Sequence, residues 1–334
     1  MAASGQEIKF AVLSRPRTQA LLDGRLKSGG LPIHWLPTTS PLGVGAPAGE
    51  NDRGILPGGF VGGEMSISSF MRAKSRGAPL LALPIFLKRG LAQRSLLCSL
   101  ESAFDSPQQL RGKRLGLVNY TSSMPTWMRG VLDDEYQLSR ASPLWITLSP
   151  SSPETHDEMT VVQIPKEFVG EEMEAWEELD GYAHQLDRRE RFLLSLMEKG
   201  EADAVISYQV RIGSHQFRPL LQTEDGFWSH YHRRGVYPIN HIFVVQEDLV
   251  SKIPNVGDIL LSTLREARKL WVDYLPKEKR EAMEYEIARL GWDPFAYHLG
   301  EVERRTLETF VDYLLKDKMI SRKISLEELF PAGA

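Results

Sequence analysis

Short apolar runs alternate with stretches of helical periodicity along the first part of the chain, and that alternation predicts an α/β fold. Ile8 to Leu13 reads as a strand, Gln19 to Leu26 as a helix and Leu31 to Leu36 as a second strand, a βαβ opening. Residues 38 to 62 hold many Gly and Pro and little periodicity, so an irregular loop is expected there. Helical spacing returns from Glu64 to Lys74 through Ile67, Phe70 and Met71, with Gly77 as its stop. A strand at Leu80 to Phe86, an extended segment around Ser95 to Leu100 and a strand at Leu115 to Asn119 follow. Thr121, Ser122 and Ser123 then supply N-cap hydroxyls and Pro125 suits a first turn, so a helix carrying Trp127, Val131 and Leu132 runs to Tyr136.

Further strands are expected at Leu144 to Leu148, Val161 to Ile164 and Ala202 to Ser207, with a helix at Arg191 to Lys199. The acidic stretch Glu154 to Asp180 reads as a solvated excursion or a surface helix and receives no chemistry. After Arg234 the pattern changes: Gly235 to His241 leads into a strand at Ile242 to Val245, then long helices at 257 to 275, 279 to 290 and 303 to 317. A chain that begins one lobe, inserts another and returns has two crossovers, expected near 95 to 102 and 230 to 240. Lobe 1 is then residues 1–98 with 237–334 and lobe 2 is residues 99–236, with the crevice between them as the default ligand site.

The 334 residues are enough for two such lobes. With 40 basic against 44 acidic side chains and no basic cluster interleaved with aromatics, a nucleic-acid partner is excluded. The longest apolar stretch, Ala78 to Leu87, is broken by Pro79 and Pro84 and is too short for the roughly 18 to 20 residues of a membrane span. The lone Cys98 cannot form an internal disulfide and Met1 to Lys9 lacks a secretory pattern, so a cytoplasmic location is expected. Neither a nucleotide-binding glycine fingerprint nor a nucleophile elbow is present. His230 and His232, read as alternating on a strand with His215 upstream, raise a metal centre, but no Cys or carboxylate spacing completes it and no metal is assigned.

Several segments spread over nearly the whole chain resemble the 4,5-dihydroxyphthalate decarboxylase family. They are Arg17-Thr18 with Leu22-Asp23-Gly24, Gly63 to Phe70, Arg111 to Gly116, Trp127 to Tyr136, Gly235 to His241, Asp293 to Tyr297 and Arg305 to Phe310. The resemblance implies a two-lobed fold of the type II periplasmic-binding-protein class and a cofactor-independent decarboxylase of a hydroxylated aromatic carboxylic acid. The chain departs from the family after Phe86, where Leu87 and Lys88 precede Arg89 and where Leu91, Ala92 and Gln93 replace an aromatic-Arg-His run. It also carries His298 where the family has Gly, so the substrate is expected to differ from 4,5-dihydroxyphthalate itself. The rival readings are a non-catalytic solute-binding protein for a small carboxylate and a related lyase or isomerase in a biosynthetic pathway; self-association into a homo-oligomer stays open.

Removing CO₂ from such a ring needs a seat for the carboxylate, a group that takes a phenolic proton and an acid near the ring carbon. Arg17, just after the first strand, and Arg89 are candidate seats, or ordinary surface arginines. Glu64 is a candidate base with Ser66 and Ser68 as ligand-binding hydroxyls, or else Glu64 and Ser66 merely cap a helix. Thr121 and Ser122 are the equivalent pair on the second lobe, and Trp127 either stacks on the ring or packs the core. His241, which matches the family's His, is the preferred proton carrier, with a structural histidine as the alternative.

Overall fold

A computed structural model of the chain describes residues 7–38, 42, 56, 59–148, 159–163, 176–177, 183–184, 188–207 and 216–331. The first segment holds β1 (Ile8–Leu13), a 3-10 turn at Pro16–Thr18, α1 (Gln19–Leu22) and β2 (Ile33–Thr38). After it come β3 (Gly62–Ser66), α2 (Ile67–Ser75), β4 (Leu80–Arg89), a 3-10 turn at Ala92–Ser95 and β5 (Leu96–Ser99). The middle of the chain forms β6 (Arg114–Leu117), α3 (Ser123–Tyr136), β7 (Leu144–Thr147) and β8 (Thr160–Val161), then the two-residue strands β9 (Trp176–Glu177) and β10 (Ala183–His184). It continues with α4 (Arg188–Glu198), β11 (Ala204–Ile206), β12 (Phe217–Pro219), α5 (Glu224–Arg234) and β13 (Ile239–Gln246). The C-terminal part is helical: α6 (Glu247–Lys252), α7 (Val256–Asp273), α8 (Lys277–Leu290), α9 (Glu301–Lys316) and α10 (Leu326–Leu329).

The first sheet has the order β2-β1-β3-β13-β4 and the second β12-β5-β11-β6-β7-β8. β1 pairs in parallel with β2 and β3, whereas β13 lies antiparallel between β3 and β4. Phe10, Ala11 and Val12 are fully buried, as both faces of an internal parallel strand must be. The chain leaves the first sheet at Arg89 and enters the second at Leu96, then returns at Ile239. The outgoing and returning segments run side by side: Ile239 pairs with Arg89, and the Gly90 N–H donates to the Pro238 carbonyl at 3.2 Å.

One apolar cluster is continuous across both sheets, from Phe70 and Met71 through Trp127 and Phe310 to Leu115 and Leu117. Helix α3 is its hub, because Trp127, Met128 and Val131 are fully buried, each worth about 1.5–3 kcal/mol of burial. The same helix carries Arg129, whose guanidinium is fully buried against Asp317 at 2.6 Å and over the Tyr120 ring at 3.7 Å. Asp317 also accepts from Arg140, so the C-terminal end of α9 is fixed to α3 by charge as well as by packing. Among the described residues no helix is long and apolar enough to cross a membrane.

The fold departs from the sequence expectations in three places that bear on function. Gly62 to Ser66 is a strand, and the helix begins at Ile67 rather than Glu64. Glycine conceals this strand, since Gly62 and Gly63 bear no side chain to display a period. They are needed there: a methyl on Gly62 would strike the Val244 carbonyl and the Phe10 ring, and one on Gly63 would strike the backbone of Ala11. The expected helix from Gln19 to Leu26 shortens to α1, which ends before the left-handed Gly24. His230 and His232 lie on a helix, α5, started by the Thr223 cap and stopped by left-handed Gly235, and not on a strand. The acidic stretch 154–180 and the loop 38–62 fall largely outside the described residues, as does His215.

Candidate active site

Strands β3 and β13 pair antiparallel with Glu64 opposite Phe243 and Ser66 opposite His241, which sets Glu64 and His241 on one face. His241 Nδ1 lies 2.5 Å from Glu64 Oε1. The Leu13 N–H donates to Glu64 Oε2 at 3.3 Å, and Arg15 Nη1 lies 3.7 Å from Oε1. Burial alone would raise the Glu64 carboxyl, but the Arg15 charge and the His241 hydrogen bond outweigh it and bring the group down to about 2. Burial lowers the His241 imidazole to about 4, against the opposing hydrogen bond and charge of Glu64.

At neutral pH the pair is therefore a carboxylate and a neutral imidazole. The Nδ1–H donates to Glu64, which leaves Nε2 as the basic atom, with no partner among the described residues. Glu64 is sealed at 1% side-chain exposure whereas His241 keeps 13%, so the imidazole is the member that can meet a ligand. The strand is irregular at this point: the β13–β4 register shifts on both sides of His241. Such bulges re-aim side chains and are common beside active sites.

Next to this pair the N-termini of α2 and α3 meet through hydroxyls. Ser123 Oγ lies 2.7 Å from Ser66 Oγ and accepts from the Ser68 N–H at 3.2 Å. Ser68 Oγ donates to the Thr121 carbonyl at 2.6 Å. Thr121 turns its own hydroxyl to Asn119 Oδ1, and Ser122 stands at the α3 N-cap without a capping bond from its side chain. Glu64, being in a strand, caps nothing, and the Ser66 side chain makes no capping bond either. Six of the expected residues, Glu64, Ser66, Ser68, Thr121, Ser122 and His241, thus fall in one neighbourhood where β3, β13 and two helix starts converge.

The other three have partners of their own. Arg17 is buried, donates to the Leu87 carbonyl at 2.6 Å and stacks over Phe295 and Trp271, so the Pro16 turn directs it into the helical layer. Arg89 is buried in an ion pair with Glu303 at 2.7 Å and donates to the carbonyls of Pro294 and Tyr237. Trp127 has no exposed surface; its indole N–H donates to the Ile239 carbonyl at 2.8 Å and its ring packs on Phe310 and Tyr313. All three are better explained as struts than as ligand contacts.

Two residues outside the candidate site set stand in the neighbourhood instead. Arg15 lies two positions before Arg17 in the same turn, and its Nη1 has no hydrogen-bond partner among the described residues. Ser123, third in a run of hydroxyl residues, is the one whose side chain bonds across to Ser66 and Ser68. The signal for both was present, a basic pair and a hydroxyl run, but which member turns inward depends on backbone geometry. His230 bonds Glu135 at 3.2 Å, whereas His232 is exposed and stacks on Trp228; among the described residues no three His, Cys, Asp or Glu side chains gather as a metal set.

No family model matches the chain. It is similar to a curated protein of Comamonas testosteroni named 4,5-dihydroxyphthalate decarboxylase, 22% identical over 346 residues that cover 97% of this chain and 96% of the relative. A Pseudomonas putida protein of the same name is 26% identical over 145 residues, 43% of this chain and 50% of that protein. Among solved structures, the Escherichia coli periplasmic aliphatic sulphonate binding protein SsuA superposes with a TM-score of 0.57 at 12% identity, covering 98% of both chains. The desulfurization enzyme DSZB gives a TM-score of 0.53 at 15% identity, covering 98% of this chain and 96% of that one. The fold is accordingly that of two-lobed, periplasmic-binding-protein-like chains.

Proposed function

We propose that this chain is a decarboxylase of a hydroxylated aromatic carboxylic acid and that its own side chains move the proton, with neither metal nor organic cofactor. The observation that carries this reading is the Glu64–His241 pair: an ionised, sealed carboxylate holding Nδ1 of a neutral imidazole whose Nε2 has no partner among the described residues. Similarity over nearly the full length to a protein named 4,5-dihydroxyphthalate decarboxylase supports the reaction class. In this mechanism His241 Nε2 takes the phenolic proton, and Glu64 stabilises the imidazolium so formed. The imidazolium returns the proton to the ring carbon that bears the carboxylate. Loss of CO₂ then sends the C–C bonding pair back into the ring, and the phenoxide regains a proton from solvent. Arg15 replaces Arg17 as the seat for a carboxylate, since its Nη1 has no hydrogen-bond partner among the described residues.

Purified protein given a panel of hydroxylated phthalates and benzoates, stripped of metal by chelation, should release CO₂. Likeness to SsuA favours one alternative, a binding protein that closes on a small acid without reacting. Binding across the panel with no CO₂ release would select that alternative.

A further inference from the structure

Two carboxamides are buried at the junction of the crossovers with neither end bonded. Asn240 is 3% exposed and Gln93 is 1% exposed, and among the described residues all four of their side-chain N and O atoms lack a hydrogen-bond partner. Such groups are expensive to bury, so a fold that keeps two of them at the crossover junction calls for a partner that arrives from outside. Their positions are related. Asn240 is the extra residue of the β13 bulge, because Ile239 pairs with Arg89 while His241 pairs with the adjacent Lys88. It also lies one step past the last β3 pairing, Ser66 with His241, level with the start of α2. Gln93 is in the 3-10 turn of the neighbouring crossover, which packs against α3. The same helix holds the residue before Asn240 through the Trp127 bond to the Ile239 carbonyl.

We propose that Asn240 and Gln93 form the polar floor of the ligand site and recognise the uncharged, hydroxyl-bearing edge of the aromatic acid. The inference rests on the decarboxylase reading for the identity of the ring and adds how the ring is chosen. The chemistry follows from what an amide offers: one acceptor and two donors without net charge. A carboxylate would call for a cation, but two adjacent phenolic hydroxyls need donors for their oxygens and an acceptor for the proton that His241 does not take, and a pair of amides supplies both. Gln93 belongs to the segment in which this chain differs from the family it resembles, so it is placed to alter substrate choice. A site that bonds hydroxyls rejects analogues without them strongly, because its own polar groups are then stranded.

The test compares 3,4-dihydroxybenzoate with benzoate by isothermal titration of the full chain, as wild type and as Asn240→Leu and Gln93→Leu. The wild type should favour the dihydroxy acid by about tenfold or more, and each variant should lose most of that preference while its affinity for benzoate holds within about threefold. Both variants should unfold at the same temperature as the wild type or higher, since each removes stranded polar atoms. An unchanged preference, an absent preference in the wild type, or loss of thermal stability in both variants would overturn the assignment. CO₂ release is scored separately: turnover with an unchanged preference sinks the amide assignment alone, and preference without turnover sinks the decarboxylase reading alone.

Discussion

Two carboxylate–imidazole pairs stand in this molecule, Glu64 with His241 and Glu135 with His230, and in both burial brings the imidazole down to about 4. They differ at the far nitrogen. His230 Nε2 lies 3.4 Å from the Tyr313 hydroxyl, its side chain is 1% exposed, and its carboxylate is also bridged by Arg233. That pair ties α3, α5 and α9 together and has no atom left to offer. His241 sits on a bulged strand end with Nε2 unbonded among the described residues and part of its ring exposed. A depressed imidazole is therefore no mark of chemistry by itself; an unoccupied nitrogen that solvent can reach is the distinguishing observation.

Acid should strike both pairs alike, and with the largest effect. Each imidazole titrates near 4 in the fold against an ordinary value of 6.5, so between those values the unfolded chain takes up a proton that the native one refuses. The stability at stake is complete above about pH 6.5 and disappears as the pH falls to about 4, about 3 kcal/mol per histidine. Urea unfolding between pH 7 and 4 should record the fall, and His230→Gln should remove about half of it. A variant curve as steep as the wild type would show that His230 is not so depressed.

The pairs should separate in turnover. His241→Gln should lower the rate by about 10²-fold or more with affinity nearly intact, whereas His230→Gln should leave the rate per folded molecule unchanged and cost about 1–3 kcal/mol in stability. Equal losses of rate in both variants would erase the distinction between the two pairs. A smaller effect should divide the two arginines of the first turn. Arg15→Gln is expected to raise KM about tenfold, the worth of a charged hydrogen bond, while Arg17→Gln lowers the unfolding temperature and leaves KM alone. Ser123→Ala should be mildest, about 1 kcal/mol from the hydroxyl link between the helix starts, read by denaturant unfolding.

Legibility in the sequence followed the strength of local patterning. β1 is a short apolar run and α3 and the C-terminal helices carry helical apolar spacing, and the two-lobed fold could be expected from them together with the dispersed family-like segments. β3 is hidden in the sequence because Gly62, Gly63 and Ser66 show no period, so Glu64 looks like a helix start although it lies in a strand. Both members of the Glu64–His241 pair were among the expected residues, but their pairing was not visible, since 177 positions separate them and strand register alone joins them. Arg17 and Arg89 show the opposite limit. A basic residue after a strand looks the same in sequence whether it turns to a ligand or to Glu303, and only packing decides.

The missing side chains of Gly62 and Gly63 govern more than strand packing. Because β1 and β13 close in on that bare backbone, any substituent there would push Glu64 away from the imidazole it holds, although neither glycine would touch a substrate. A map of mutational tolerance should therefore show its deepest activity losses partly at positions that have no functional group at all, and reading such a map as a list of chemically active residues would misplace the centre of this protein.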